Sequence, residues 1–157
     1  MKKFALALAA VFVLAIACGG SGTPEQVVQK LMDGVQNADG DAVVSCLSAE
    51  VLAGMDEFLV ELKADPEGTA AMAVMMGIEI TPDEVSNLDA AKVVTILLNS
   101  EMVTAEMPDF SAIEIGTATI DGDIATVPMT MDGETEDLEL ILEDGSWKIG
   151  GEGMDFM

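Results

Sequence analysis

The chain of 157 residues contains no histidine, arginine or tyrosine, and only one tryptophan and two cysteines. Without histidine it cannot assemble a Ser-His-Asp triad or a Cys-His pair, so nucleophilic catalysis of that kind is excluded. Without arginine it has no guanidinium to clamp a phosphate or a carboxylate through two parallel hydrogen bonds. It also lacks the glycine-rich phosphate loops of the Walker and dinucleotide-binding types. Several large enzyme classes are therefore excluded.

Positive charge is nearly missing after Cys18. All 29 acidic residues lie at or after Glu25, against four lysines in the same stretch, so residues 18–157 carry a formal charge of −25. Such a chain repels nucleic-acid phosphates and anionic lipid headgroups, and no nucleic-acid partner is expected. Its self-repulsion should be relieved at high ionic strength. The four lysines are Lys30, Lys63, Lys92 and Lys148.

The N-terminus has the pattern of a secretory leader that ends in a cysteine. Lys2 and Lys3 precede a run of uncharged residues, and the run closes with Leu14-Ala15-Ile16-Ala17-Cys18. This resembles the lipobox of bacterial lipoproteins, although Ala15 stands where the pattern prefers leucine. The resemblance implies cleavage before Cys18 and a diacylglycerol on its sulfur. An ordinary secretory signal is the alternative; a transmembrane helix is disfavoured because the run is shorter than the roughly 20 residues that a bilayer needs.

The leader predicts the organisation and location of the whole chain. Residues 1–17 are the expected signal peptide, 18–22 a flexible glycine-rich spacer, and 23–157 a single domain large enough for its own core. The expected location is the cell envelope, on the outer face of the cytoplasmic membrane or on the outer membrane. If Cys18 is acylated, Cys46 has no partner within the chain and is expected to be a small buried apolar residue.

Helical periodicity dominates the first part of the domain. Thr23-Pro24-Glu25-Gln26 has the composition of a helix start, with Thr23 as the cap and Gln26 in the capping-box position. Residues 37–40 end this helix, and Asp41 is expected to cap a short helix over 42–47. A third helix keeps the 3.6-residue period in its apolar positions, which are Val51, Leu52, Met55, Phe58, Leu59 and Leu62.

Two further helices are predicted before residue 100. Residues 69–76 are small or apolar and rich in methionine, which predicts a buried helix. Thr81-Pro82-Asp83-Glu84 repeats the capping pattern and predicts a helix running toward Ser100. The β-branched cluster at 93–98 leaves a strand there as the alternative.

After Pro108 the period changes to that of β-strands. Three Asp-Gly pairs separate alternating runs, which is the strongest short-range hairpin signal. The sequence thus predicts an α+β fold in which N-terminal helices pack on a curved C-terminal antiparallel meander of about four strands. The predicted strands are 111–120, Ile124–Met131, 135–143 and 146–150, joined at Asp121-Gly122, Asp132-Gly133 and Asp144-Gly145.

This order of elements resembles the nuclear transport factor two-like superfamily, also called the ketosteroid-isomerase or cystatin-like cone. The resemblance is closest to small bacterial lipoproteins that carry such a domain without an assigned function. It rests on residues 23–28, 37–42, 125–129 and 143–149. It implies a cone with a cavity between helix and sheet, in a superfamily of enzymes, small-molecule binders and protein-binding scaffolds. The tyrosine donor of ketosteroid isomerases has no counterpart here.

Several residues are candidates for a binding site. Flexible methionines suit adaptable apolar pockets, although core packing is the alternative for these positions. The predicted pocket residues are Phe58, Met72, Met75, Met76 and Trp147. A second candidate is the acidic hairpin, as a docking patch for a basic partner or as an ordinary solvated surface. Its residues are Asp132, Glu134, Glu136, Asp137, Glu139, Glu143 and Asp144.

No metal or cofactor is expected. The triplets Asp39-Gly40-Asp41 and Asp121-Gly122-Asp123 lack the alternating ligand pattern of a calcium loop, and turn chemistry explains them. The predicted function is a lipid-anchored, non-catalytic binding domain for an apolar small molecule in the cavity or for a basic protein on the acidic sheet face. The alternatives are an isomerase or dehydratase with a carboxylate base, and a structural envelope lipoprotein.

Overall fold

The computed structural model describes residues 22–105 and 110–150, and the α+β architecture predicted from the sequence is confirmed. Seven helices of the described ranges precede a curled antiparallel sheet that forms a half-barrel. The helices are α1 (Pro24–Gln36), α2 (Gly40–Cys46), α3 (Ala49–Ala64), α4 (Pro66–Met75), α5 (Pro82–Ser86), α6 (Ala90–Leu98) and α7 (Glu101–Thr104). After a 3₁₀ turn at Phe110–Ala112 come β1 (Glu114–Ile115), β2 (Thr119–Asp121), β3 (Ile124–Met131), β4 (Glu134–Glu143) and β5 (Ser146–Ile149).

Local capping chemistry sets where the helices start. The Thr23 amide donates to Gln26 Oε1 at 3.1 Å, and the Thr81 amide donates to Glu84 Oε2 at 2.8 Å, as the two capping patterns predict. The expected cap of α2 was wrong by two residues, because Asp39 rather than Asp41 accepts the Ala42 amide. The turn after α1 places Asp39 in an extended conformation, and α2 therefore begins earlier than predicted.

The predicted helix from residue 82 toward Ser100 is interrupted. It ends at Ser86, and a new helix begins at Ala90 because the Asp89 carboxylate accepts the Lys92 amide at 2.8 Å as an N-cap. The alternative of a strand at 93–98 is wrong, since these residues lie in α6. Ser100 caps the short α7 in the same manner.

The sheet has the order β1-β3-β4-β5, with β2 also paired to β3. Asp132 and Asp144 have φ of 53° and 49° and are each followed by a glycine of positive φ, the two-residue hairpin turn that Asp-Gly favours. The β2–β3 turn uses Gly122 and Asp123 instead, because Asp121 still pairs with Ile124.

The predicted strand over 111–120 is wrong as a single element. It begins with the 3₁₀ turn, and a bulge then separates β1 from β2, both of which pair with β3. Gly116 lies so close to the ring of Pro128 that an added Cβ would approach Pro128 Cγ to 2.6 Å. The Gly116 amide bonds the Pro128 carbonyl, whereas the Ala118 amide leaves the ladder and donates to Glu25 Oε1 at 2.8 Å. The bulge thereby ties the sheet to α1.

The core is divided into two clusters of buried side chains. The first lies between α1, α2 and the inner face of the sheet, and the second joins α3, α4, α5 and the loop before α6. Helix α3 connects them, because Val51, Leu52 and Met55 pack on the first cluster and Leu59 belongs to the second. The first cluster is Val27, Val28, Leu31, Met32, Val43, Cys46, Leu47, Ala125, Val127, Leu138, Leu140 and Ile149; the second is Leu59, Ala70, Val85 and Leu88.

Candidate functional site

The five predicted pocket residues are not gathered in one depression. Phe58, Met72, Met75 and Met76 are exposed at the surface, with Met75 reaching 88 % exposure. Trp147 is half-buried in β5 and lines a depression that includes none of the other four.

Helix α4 turns its methionines to solvent, so the prediction that residues 69–76 form a buried helix is wrong in its burial. Ala70, which belongs to the second cluster, and Ala73 form the buried face, and Met72 and Met75 lie on the opposite side of the helix. Small alanines let α4 pack closely on its neighbours. Because the segment is apolar all round, its sequence carries no periodic signal that identifies the buried face.

The space between helices and sheet, where the resemblance implies a cavity, is filled by side chains. Val28, Val127, Leu138 and Leu140 all have zero exposure there, and Cys46 is 2 % exposed. The prediction that Cys46 is a small buried apolar residue is confirmed. This interface is a packed core built from α1, α2 and the inner sheet face.

An acidic cleft of about 450 Å³ lies between α2, α5 and α6. Ile80, Leu88 and Ile96 supply apolar lining, and Lys92 supplies one cation. Two of its four carboxylates are already used as helix caps, and Lys92 pairs with one of them, Asp89, at 3.3 Å. The four carboxylates are Asp41, Glu79, Glu84 and Asp89.

Within the described ranges, every carboxyl group whose pKa clearly departs from its ordinary value has a lowered pKa. Burial raises the pKa of Glu25, but hydrogen bonds from the Ala118 amide and the Thr23 hydroxyl outweigh it. Thr81 lowers the pKa of Glu84 through its hydroxyl and its amide, and the Lys92 amide is the main cause of the lowered pKa of Asp89. These three groups are ionised acceptors at neutral pH.

The acidic hairpin runs from the β3–β4 turn along β4 to the β4–β5 turn. Its carboxylates divide between the two faces of the sheet, because Asp137 and Glu139 alternate with Glu136 and the buried Leu138 along β4. Glu143 accepts the Ala49 amide at 3.0 Å. The exposed end of the hairpin is named the acidic tip, and none of its carboxylates forms a hydrogen bond or ion pair within the described ranges. It consists of Asp132, Glu134, Glu136 and Asp137.

A second depression, of about 300 Å³, contains two of the four lysines and is named the lysine depression. Lys30 comes from α1 and Lys148 from β5, and the Lys148 ammonium donates to the Ser45 carbonyl at the end of α2. Burial raises the pKa of the neighbouring Cys46 thiol, partly offset by the Ser45 hydroxyl and the two lysine charges. The lining is Gly22, Gln26, Val27, Lys30, Ser45, Cys46, Trp147 and Lys148.

Sequence reasoning missed the lysine depression. Its two cations are 118 residues apart in sequence, so no local pattern links them. The scarcity of lysine was the only available signal. With only four lysines among many carboxylates, a surface that contains two of them differs in charge from the rest of the protein.

No three thiol or carboxylate side chains within 22–105 and 110–150 are placed to hold a metal ion. No helix in those ranges combines the length and apolarity that crossing a bilayer requires. Cys18, the predicted site of lipid attachment, and the predicted signal peptide lie outside the described residues.

Comparison with known protein families, with curated proteins and with solved structures gives no significant match. The functional assignment therefore depends on the chain's own residues.

Proposed function

We propose that this protein is a lipid-anchored domain of the bacterial cell envelope that binds a basic protein without catalysing a reaction. The observation that carries the proposal is the uncompensated charge of the acidic tip. Its four carboxylates are exposed within six consecutive residues, and none is paired with a cation of the described ranges. Such a cluster attracts and orients a basic partner through long-range electrostatics.

The filled helix–sheet interface supports a partner at the surface over an apolar molecule inside the cone. Zero exposure at Val28, Val127 and Leu138 leaves no volume for a ligand between them. The anchor is supported by the lipobox-like segment that ends at Cys18, which a spacer of a few residues joins to α1.

The test is site-specific photo-crosslinking of the full-length protein in its native membranes. A photoreactive group replaces Thr135, which is exposed in the acidic tip, or Ala53, which is exposed on α3 as the matched control position. We expect a cross-linked protein with a basic surface from position 135 only, lost when Glu134, Glu136 and Asp137 are changed to their amides and reduced by high salt. Equal cross-linking from both positions, or resistance to the amide changes, contradicts the proposed binding surface.

The anchor is tested on the same membranes by Cys18→Ser. We expect the substituted protein to leave the membrane fraction, because the thioether to the lipid can no longer form. Membrane association that survives this change contradicts the lipid anchor, whatever the cross-linking result.

A further inference from the structure

The lysine depression lies where the domain meets its predicted tether. Gly22 is part of its lining, and only three residues lie between Cys18 and Gly22. Because an extended chain spans at most about 3.6 Å per residue, the lipid-bearing sulfur can lie no further than roughly 15 Å from this surface. The depression is therefore held close to the bilayer.

No carboxylate lines the lysine depression, in a chain with 29 acidic residues. The acidic cleft, by contrast, is lined by four. Lys30 forms no hydrogen bond or ion pair within the described ranges, and Lys148 uses one donor on the Ser45 carbonyl while an ammonium has three. Two lysines with donors left over thus line one concave surface, which suits an oxyanion such as a phosphate.

Trp147 adds both an apolar ring and a hydrogen-bond donor to the lysine depression. Its indole is half-buried beside Val27 and Cys46 in the depression. Tryptophan is enriched at the headgroup level of membranes because its ring is apolar and its N–H is a donor. The two lysines therefore suit the charged headgroup of a lipid, and the tryptophan ring beside them suits the boundary between the headgroup and the acyl chain.

We propose that the lysine depression binds a phosphate group of a membrane lipid headgroup and so fixes the orientation of the anchored domain. The inference rests on the proposed lipid anchor. With a formal charge of −25 after Cys18, most of the surface is repelled by an anionic bilayer, and this is the face on which two lysines offset the repulsion. The orientation leaves the remaining acidic surface available to other partners.

The test uses Trp147, the only tryptophan, as its own reporter. Lipidated full-length protein is reconstituted in vesicles of phosphatidylcholine and phosphatidylglycerol that carry a nitroxide on the headgroup. We expect strong quenching of Trp147 emission and a clear loss of quenching in Lys30→Gln, because removing one lysine near an anionic surface lowers the equilibrium constant for the bound orientation by about fivefold. Lys63→Gln, an exposed lysine of α3 outside the depression, is the matched control and should leave the quenching unchanged.

Lys30→Gln is chosen because Lys30 forms no hydrogen bond or ion pair within the described ranges, so the substitution should preserve the fold. An unchanged thermal unfolding temperature checks this. Equal quenching in Lys30→Gln and Lys63→Gln overturns the inference. Inorganic phosphate is added to the lipidated protein in micelles as a separate arm. A saturable change in Trp147 emission that depends on Lys30 assigns the depression to a soluble phosphate and also overturns it.

Vesicle flotation separates the two proposals. If the Cys18→Ser protein floats as well as the lipidated protein, the proposed anchor fails. If the lipidated protein floats and Trp147 is not quenched, the anchor stands and only the orientation inference fails.

Discussion

At Gly40 the first turn of α2 approaches the backbone of α6 so closely that a Cβ atom there would lie 1.9 Å from the Ala91 carbonyl oxygen. The Gly40 amide also donates to the Thr95 hydroxyl at 3.1 Å across the same contact. Because Gly40 has no Cβ atom, α2 and α6 can make this close contact, and the neighbouring Asp41, Ala91 and Thr95 line the acidic cleft.

Replacing Gly40 by alanine should therefore destabilise the fold. We expect Gly40→Ala to lower the free energy of unfolding by about 2–3 kcal/mol, because backbone rather than a flexible side chain has to move. Urea unfolding followed by circular dichroism measures it. Gly54→Ala is the control, since a Cβ at Gly54 in α3 meets nothing within 4 Å, and it should stabilise by about 0.5–1 kcal/mol. Equal effects of the two substitutions would contradict the close helix contact.

What could be predicted at single residues depended on how local the signal was. The caps at Thr23 and Thr81 were correct because a capping box joins residues three positions apart. For the cap of α2, the wrong one of the two aspartates that flank Gly40 was predicted. Which aspartate caps the helix depends on the conformation of the turn that precedes it. The exposure of Met72 and Met75 was missed because alanines, not methionines, form the packed face of α4.

At the scale of elements, Glu25 joins the first turn of α1 to the bulge between β1 and β2. Its carboxylate accepts the Ala118 amide, which has no partner strand at that point. Hydrogen bonds to an ionised acceptor are stronger than those to a neutral one, so the ionised form holds the helix to the sheet.

We expect Glu25→Ala to cost about 1–2 kcal/mol at pH 7, because it leaves the Ala118 amide without its acceptor. The pKa of folded Glu25 lies below its ordinary value of 4.5, so its charge-dependent stabilisation is complete above that pH and is lost as the pH falls through the folded pKa. The difference in unfolding free energy between native and substituted protein should thus shrink in acid. Glu50→Ala, in the first turn of α3 without such an acceptor role, should show a smaller difference. If the difference in unfolding free energy between the native protein and Glu25→Ala does not change with pH, the carboxylate acts by packing alone.

Elements with local signals were predicted well, and those set by distant contacts were not. β3, β4 and β5 and their turns follow from alternation and Asp-Gly pairs, and two of the three turns use the predicted pair. The split of 111–120 depends on Pro128, whose ring lies against Gly116, and on Glu25, which accepts the Ala118 amide in place of a strand partner; both residues lie outside the segment. The break before α6 depends on Asp89 acting as a cap inside an otherwise helical pattern.

The distribution of charge is what most distinguishes the whole molecule. Residues 22–105 and 110–150 contain one ion pair, Lys92 with Asp89, and the acidic tip and cleft keep most of their carboxylates unpaired by cations. The lysine depression is the exception, and by the proposals above the two kinds of surface serve different partners. The fold class could be predicted from the sequence because periodicity and turn signals are local. The filled interface and the shared depression of Lys30 and Lys148 could not be predicted, because both depend on residues that come together only in the folded chain.

This unbalanced charge makes the stability of the whole protein depend on ionic strength. Between 0.01 M and 1 M salt the Debye length falls from about 30 Å to about 3 Å, so repulsion among distant carboxylates is largely removed. We expect the thermal unfolding temperature to rise by about 5 °C or more in sodium chloride, which corresponds to roughly 1 kcal/mol for a domain of this size. Sodium nitrate at equal ionic strength is the control and should give a similar gain below molar salt, because screening depends on charge and not on the identity of the anion. A flat response, or a gain in one salt only, would show that self-repulsion is not a significant term in the stability of this fold, despite its formal charge of −23 over the full chain.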